Sequence, residues 1–63
     1  MPVVSIKQPD NISAEQKSEV TKRITEAMVE VYGTKPGSVM VFFEEYNNEA
    51  WGKDGVLAKD RKK

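Results

Sequence analysis

Two apolar, largely β-branched runs, Pro2 to Lys7 (PVVSIK) and Val39 to Phe43 (VMVFF), stand on either side of one amphipathic stretch, and no other helical segment is available to cover them. That arrangement limits what the chain can become. The first run has no helical spacing and reads as a strand, ending in the loop composition Gln8-Pro9-Asp10-Asn11. Ser13-Ala14-Glu15-Gln16 has the form of a capping box, with Ser13 accepting from the backbone of Gln16 and Gln16 reaching back. From there Val20, Ile24, Ala27, Met28 and Val31 recur at spacings of four, three, one and three. They form one stripe of a helix, with Lys17, Lys22, Glu26 and Glu30 off it. Gly33 supplies the C-terminal stop, and Lys35-Pro36-Gly37-Ser38 turns the chain. The second run does not alternate with polar residues, so both its faces are expected to be buried, as in parallel sheets. Strand, helix and strand with short loops make a βαβ unit with a right-handed crossover.

One helix covers one face of a two-stranded sheet. Either Met40 and Phe42, or Val39, Val41 and Phe43, would be left wet in a lone chain, and a patch of that kind marks an interface. Size points the same way. A 63-residue chain buries only about 60% of its unfolded surface. Small domains are usually reinforced by disulfides, a metal or partner chains. With no Cys and no His, disulfides are excluded and most metal sites with them. Oligomerisation remains. The segment from Tyr46 onward carries Asn47-Asn48, then Gly52 and Gly55 around Trp51, then Val56-Leu57-Ala58. It reads as a loop and a short strand pair. The expected fold is α/β: a single domain over residues 1–63, one βαβ unit with a short C-terminal hairpin, assembling into an oligomer.

Ten basic residues balance ten acidic ones, so neither nucleic acid nor an anionic membrane is an expected partner. The terminal KDRKK is short, carries an aspartate, and reads as a solvated tail. No stretch is long enough to span a membrane, and Lys7 interrupts any signal peptide, so a cytoplasmic protein is expected.

Most catalytic constellations are missing. Without histidine or cysteine there is no hydrolase triad and no thiolate, and no phosphate-binding glycine loop occurs. Glu44 and Glu45 are adjacent in a strand and point to opposite faces, which makes them poor partners for joint acid/base work. The remaining group whose ordinary pKa lies near neutrality is the α-amine, at about 7.7–8.0. Pro2 follows Met1 directly. It is either a proline tolerated at the first residue of a strand, or, once Met1 is removed, a free secondary amine at the end of one. Burial in an apolar pocket would lower the pKa of that amine and let it act as a general base or as a nucleophile.

PVVSIK, the helix start SAEQK at Ser13 to Lys17, SVMVFFEE, and W-G-x-x-G-x-L from Trp51 resemble the 4-oxalocrotonate tautomerase family, over essentially the whole chain from Pro2 to Lys62. The resemblance implies a hexamer of short βαβ chains with sheets inside and helices outside. It implies a processed N-terminal proline, Pro2, acting as general base in the enol–keto tautomerisation of a small carbonyl or enol acid, with no cofactor and no metal. Trp51 takes the position of an aromatic that walls the site, and Ser38 that of a serine close to bound substrate.

The departures bear on substrate. Two arginines that hold substrate carboxylates in well-studied members correspond here to Ile12 and Met40, and a backbone amide that also contributes corresponds to Pro9, which has no N–H. The familiar G-x-G-G reads Gly52-Lys53-Asp54-Gly55. Lys7, Lys53 or Lys62 can replace a missing cation, as a point charge rather than a bidentate fork. Met40 and Phe42 are core or interface first and substrate wall second. The reading is therefore an isomerase, a keto–enol tautomerase of a 2-hydroxydienoate or 2-oxo acid, with Pro2 catalytic and Trp51, Ser38, Met40 and Lys7 binding substrate. The alternatives are a hydratase, dehalogenase or decarboxylase using the same amine, or a non-catalytic scaffold or partner chain of a hetero-oligomer.

Overall fold

The computed structural model describes residues 1–61; Lys62 lies outside them. The chain runs β1 (Val3–Pro9), α1 (Ala14–Tyr32), a 3₁₀ turn at Pro36–Ser38, β2 (Met40–Tyr46), β3 (Gly52–Lys53), β4 (Val56–Leu57) and a last 3₁₀ turn at Ala58–Asp60. β1 and β2 pair in parallel, Val3 opposite Met40 through to Pro9 opposite Tyr46, and β3 and β4 form a separate antiparallel hairpin. This is the expected βαβ unit with its C-terminal hairpin.

Both strands run past the bounds read from sequence. β1 continues through Gln8 and Pro9 because it is paired on one side only, and a proline without an N–H is tolerated on such an edge. The next N–H, that of Asp10, closes the ladder on the Tyr46 carbonyl at 3.0 Å. The helix begins as expected: Gln16 N–H donates to Ser13 Oγ at 3.1 Å and Ser13 N–H to Gln16 Oε1 at 3.0 Å. It ends at Gly33, whose N–H donates to the Val29 carbonyl at 3.0 Å.

The stripe of α1 that meets the sheet differs from the expected one. Ile24 and Met28 are half-buried as read, but Val20 and Val31 are 40% and 75% exposed and Ala27 is exposed as well. Lys17, Thr21, Thr25 and Val29 take the inner positions instead. Two of them face inward without stranding a charge or a hydroxyl. Thr21 Oγ1 donates to the Lys17 carbonyl at 2.7 Å, and Lys17 Nζ meets Glu45 Oε1 at 3.0 Å, which ties the start of the helix to the far end of β2. On the outer surface Arg23 Nε donates to Glu19 at 2.7 Å. That bond and charge hold the Glu19 carboxyl below its ordinary value and raise Arg23. Exposed pairs of this kind add little stability.

Val4, Ile6, Val41 and Phe43 lie beneath α1; Val3, Ser5, Lys7, Met40, Phe42 and Glu44 lie on the other face and are exposed. The face left uncovered is thus the Met40/Phe42 face, with Met40 41% and Phe42 48% exposed. Among the described residues none is fully buried. The chain exposes 5189 Å², against about 4,100 Å² for a compact monomer of its mass. Its radius of gyration is 15.3 Å, where a chain of this length packed as a sphere-like domain would have about 11 Å. No described helix is long and apolar enough to cross a membrane.

An open apolar face and no closed core predict self-association. Sedimentation at micromolar concentration is expected to give a species several times heavier than 7.1 kDa, and Phe42→Asp to shift it to monomer. A wild-type protein that sediments only as monomer contradicts this.

Candidate active site

The first rung of the sheet fixes Pro2. Its carbonyl accepts from Met40 N–H at 3.0 Å, and the residue is half-buried behind an 84% exposed Met1. The chain reaches Met40 through the Pro36–Ser38 turn. There Ser38 Oγ donates to the Lys35 carbonyl at 2.8 Å and lies 2.6 Å from Thr34 Oγ1. With its proton on Lys35, the Ser38 hydroxyl accepts from Thr34, so it is engaged in holding the turn. Pro2, Ser38 and Met40 therefore gather at the head of the sheet.

Lys7 and Trp51 belong to the other end. Residue 7 is five positions along an extended chain from Pro2, about 16 Å away. A cavity of about 470 Å³ is lined there by Lys7, Glu44, Glu45, Tyr46, Ala50 and Trp51. Trp51 packs edge-to-face on Tyr46, ring centroids 5.9 Å apart and planes at 70°, a favourable quadrupolar arrangement. Register sets Lys7 beside Glu44. Glu45 forms an ion pair with Lys17 of α1 while also lining this cavity with Glu44.

The hairpin holds Trp51 in place. Glu49 N–H donates to Asn47 Oδ1 at 2.8 Å and Ala50 N–H to the Asn47 carbonyl at 3.1 Å, which turns the chain out of β2. Ala58 N–H then donates to the Trp51 carbonyl, and Lys59 N–H to that of Asn48, both at 3.0 Å. Asp54 and Gly55 have φ of 56° and 78°, the two positive values that a type I′ hairpin demands. Gly52 sits so close to β4 that a Cβ there would lie 3.0 Å from the Val56 carbonyl oxygen.

Of the three candidate lysines, Lys7 lines the cavity. Lys53 lies in the hairpin, its carbonyl accepting from Arg61 Nη1 at 2.9 Å, and Lys62 is outside the described residues. Arg23 is on the outer helix surface and Arg61 against the hairpin, so neither lines this cavity. Half-buried Ile12 and exposed Met40, the positions the resemblance gives to two arginines, bring no charge. Among the described residues no group of three or more metal-ligating side chains occurs. Glu44, Glu45, Tyr46 and Ala50 are the lining residues that sequence reasoning did not place in the site; Glu44 and Tyr46 share the face of Met40 and Phe42. Carrying the strand alternation from Glu44 to Tyr46 is the signal that could have found those two.

A family model described as Tautomerase enzyme matches residues 2–61. The chain is 37% identical over 60 residues to a 2-hydroxymuconate tautomerase of Comamonas testosteroni, covering 95% of each chain. It is 33% identical to the 2-hydroxymuconate tautomerase of Pseudomonas putida, again over 95% of each. Among solved structures, YwhB, a homologue of 4-oxalocrotonate tautomerase, has a TM-score of 0.87 at 28% identity, over 97% of this chain and 100% of that one. A second 4-oxalocrotonate tautomerase homologue has a TM-score of 0.90 at 27% identity over the whole of both chains.

Gly52→Ala is expected to push β3 from β4 and displace Trp51, at a cost of about 1–3 kcal/mol. Near-ultraviolet circular dichroism should lose the signal of the Tyr46–Trp51 pair. An unchanged spectrum would mean that the hairpin does not hold Trp51.

Proposed function

Because the chain belongs to the tautomerase family, whose relatives support an isomerase activity, we propose that it is a cytoplasmic, cofactor-free keto–enol tautomerase with Pro2 as general base. The observation that carries this is the place of Pro2: the family match opens at that residue, and the first hydrogen bond of the sheet pins it. After removal of Met1 the prolyl nitrogen takes the enol O–H proton of a 2-hydroxydienoate. Its conjugate acid returns a proton to carbon as the carbonyl forms. No electrons leave the substrate, so no redox group is called for.

One chain holds the base at one end and the aromatic wall at the other. We infer that a second copy completes the site, bringing its Lys7, Tyr46 and Trp51 against Pro2 of the first, in a homo-oligomer for which a hexamer is the favoured form. Met40 then forms part of the apolar wall beside the base, while Ser38 acts by holding the turn.

Substrate preference follows from Ile12 and Met40. Each charge-assisted arginine–carboxylate contact is worth about 1.5–3 kcal/mol, and an apolar replacement makes a buried carboxylate costly. The relatives named above are 2-hydroxymuconate tautomerases; this chain is expected to prefer a monoacid.

Mass spectrometry should show Met1 removed. On that protein kcat/KM for 2-hydroxypenta-2,4-dienoate should exceed that for 2-hydroxymuconate by tenfold or more, about 1.4 kcal/mol. The rate should climb as pH rises and the prolyl amine loses its proton. Acetylating the amine should abolish turnover. Undiminished activity of the acetylated protein would remove Pro2 from the mechanism, and a clear preference for the diacid would mean that other cations have rebuilt the clamp.

A further inference from the structure

The cavity at the Trp51 end carries one cation, Lys7, and two carboxylates, Glu44 and the Glu45 already paired with Lys17, that the proposed proton transfer does not use. Lys7 and Glu44 are register partners on strands about 4.8 Å apart, and both line the cavity. They are not joined: the ion pairs among the described residues are Lys17–Glu45 and Arg23–Glu19. The Lys7 ammonium thus has donors available to a ligand, and Glu44 sets an acceptor-only carboxylate beside it. Tyr46 and Trp51 supply the aromatic surface against which a flat, conjugated chain packs. The volume of about 470 Å³ lies within the range of small-ligand sites.

We propose that Lys7 and Glu44 determine ligand charge in this cavity, Lys7 taking one carboxylate and Glu44 excluding a second. A planar mono-anion with a neutral tail fits: its carboxylate meets Lys7, and its conjugated tail lies along Tyr46 and Trp51. A dianion of the same length adds a second negative charge to a cavity that already holds the Glu44 carboxylate beside its one cation, and like charges repel. The proposal rests on the reading of this cavity as part of the substrate site. It adds that Glu44 discriminates actively, in addition to the loss of positive charge at Ile12 and Met40.

Binding can be read apart from catalysis, because Trp51 is the chain's one tryptophan and lines the cavity. The probes are trans,trans-2,4-hexadienoate and trans,trans-2,4-hexadienedioate. They share one conjugated six-carbon chain, differ by a carboxylate in place of a methyl group, and lack the enol proton that turnover needs. Titrations followed by Trp51 fluorescence should give a wild-type Kd for the monoacid at least tenfold below that for the diacid. Glu44→Gln should tighten the diacid about tenfold and leave the monoacid within twofold. Lys7→Gln should weaken the monoacid about tenfold, and Lys7→Arg should restore it. Sedimentation of each variant beside the wild type verifies that assembly is kept, and the wild-type comparison needs no variant at all. Equal wild-type affinities, a ratio unmoved by Glu44→Gln, or no fluorescence response to either acid overturns the proposal. The same titrations on protein with Met1 removed and its amine acetylated should give the same ratio. A ratio that holds while the processed, unacetylated protein fails to turn over substrate assigns the failure to the Pro2 reading. Turnover with an unmoved ratio assigns it to the charge reading.

Discussion

The parallel ladder between β1 and β2 is the interaction on which the rest of this structure depends. Its outermost rungs are Met40 N–H to the Pro2 carbonyl and Asp10 N–H to the Tyr46 carbonyl, both at 3.0 Å. The same row of hydrogen bonds that lets one helix cross over a minimal sheet therefore seats the candidate base at its head and the first aromatic of the cavity at its foot. The two sets of site residues cannot drift independently, because each ends the same ladder. They also cannot meet within one chain, because an extended strand of that length is rigid and has no way to fold its ends together.

Coverage of only one face gives that rigidity its consequence. α1 spends its inner stripe on Val4, Ile6, Val41 and Phe43 and leaves Met40 and Phe42 open. Polarity changes along the uncovered face. Val3 and Met40 at its head are apolar, while Lys7 and Glu44 near its foot are charged. A copy that buried the whole face would have to desolvate both charges. One that buries the apolar head against a neighbour's aromatic end covers hydrophobic surface and leaves Lys7 and Glu44 facing a ligand or water. The second arrangement is the one the polarity of the face favours.

The elements that announce themselves locally were legible in sequence. The capping box Ser13/Gln16, the stop at Gly33 and the β-branched runs each carry their reason within a few residues, and they give the βαβ order. The faces were harder to read. Val20, Ala27 and Val31 look like core by periodicity, yet Thr21, Thr25 and Lys17 lie inside. A threonine hydroxyl can bond its own helix, and a lysine can reach a strand carboxylate, so polarity did not disqualify them. The cavity was only half legible. Trp51 and Lys7 could be named from residue type and resemblance, whereas Tyr46 required knowing that β2 runs that far, and Glu44, Glu45 and Ala50 are placed in the cavity only by the fold. Ser38 could be named as a site residue, but its commitment to Lys35 and Thr34 depends on a turn whose hydrogen bonds have no signature in composition.

The two arginines the resemblance implies at positions 12 and 40, and the Lys7 this cavity has, are two different ways to hold an anion. A guanidinium fork fixes a carboxylate in one plane by two parallel bonds, so a substrate held by two forks needs little else to orient it. An ammonium on a flexible stem supplies charge without direction. In this cavity direction has to come from elsewhere, and the Tyr46–Trp51 pair is what the structure offers, held by β2 on one side and the hairpin on the other. Orientation by aromatic walls favours flat conjugated ligands and depends little on ionic strength, while attraction by Lys7 is screened by salt. Affinity and alignment are thus separated onto different groups. On the proposed reading, such a site tolerates variation in the tail of its ligand and is strict about its charge, because Glu44 stands beside the one cation among the described lining residues.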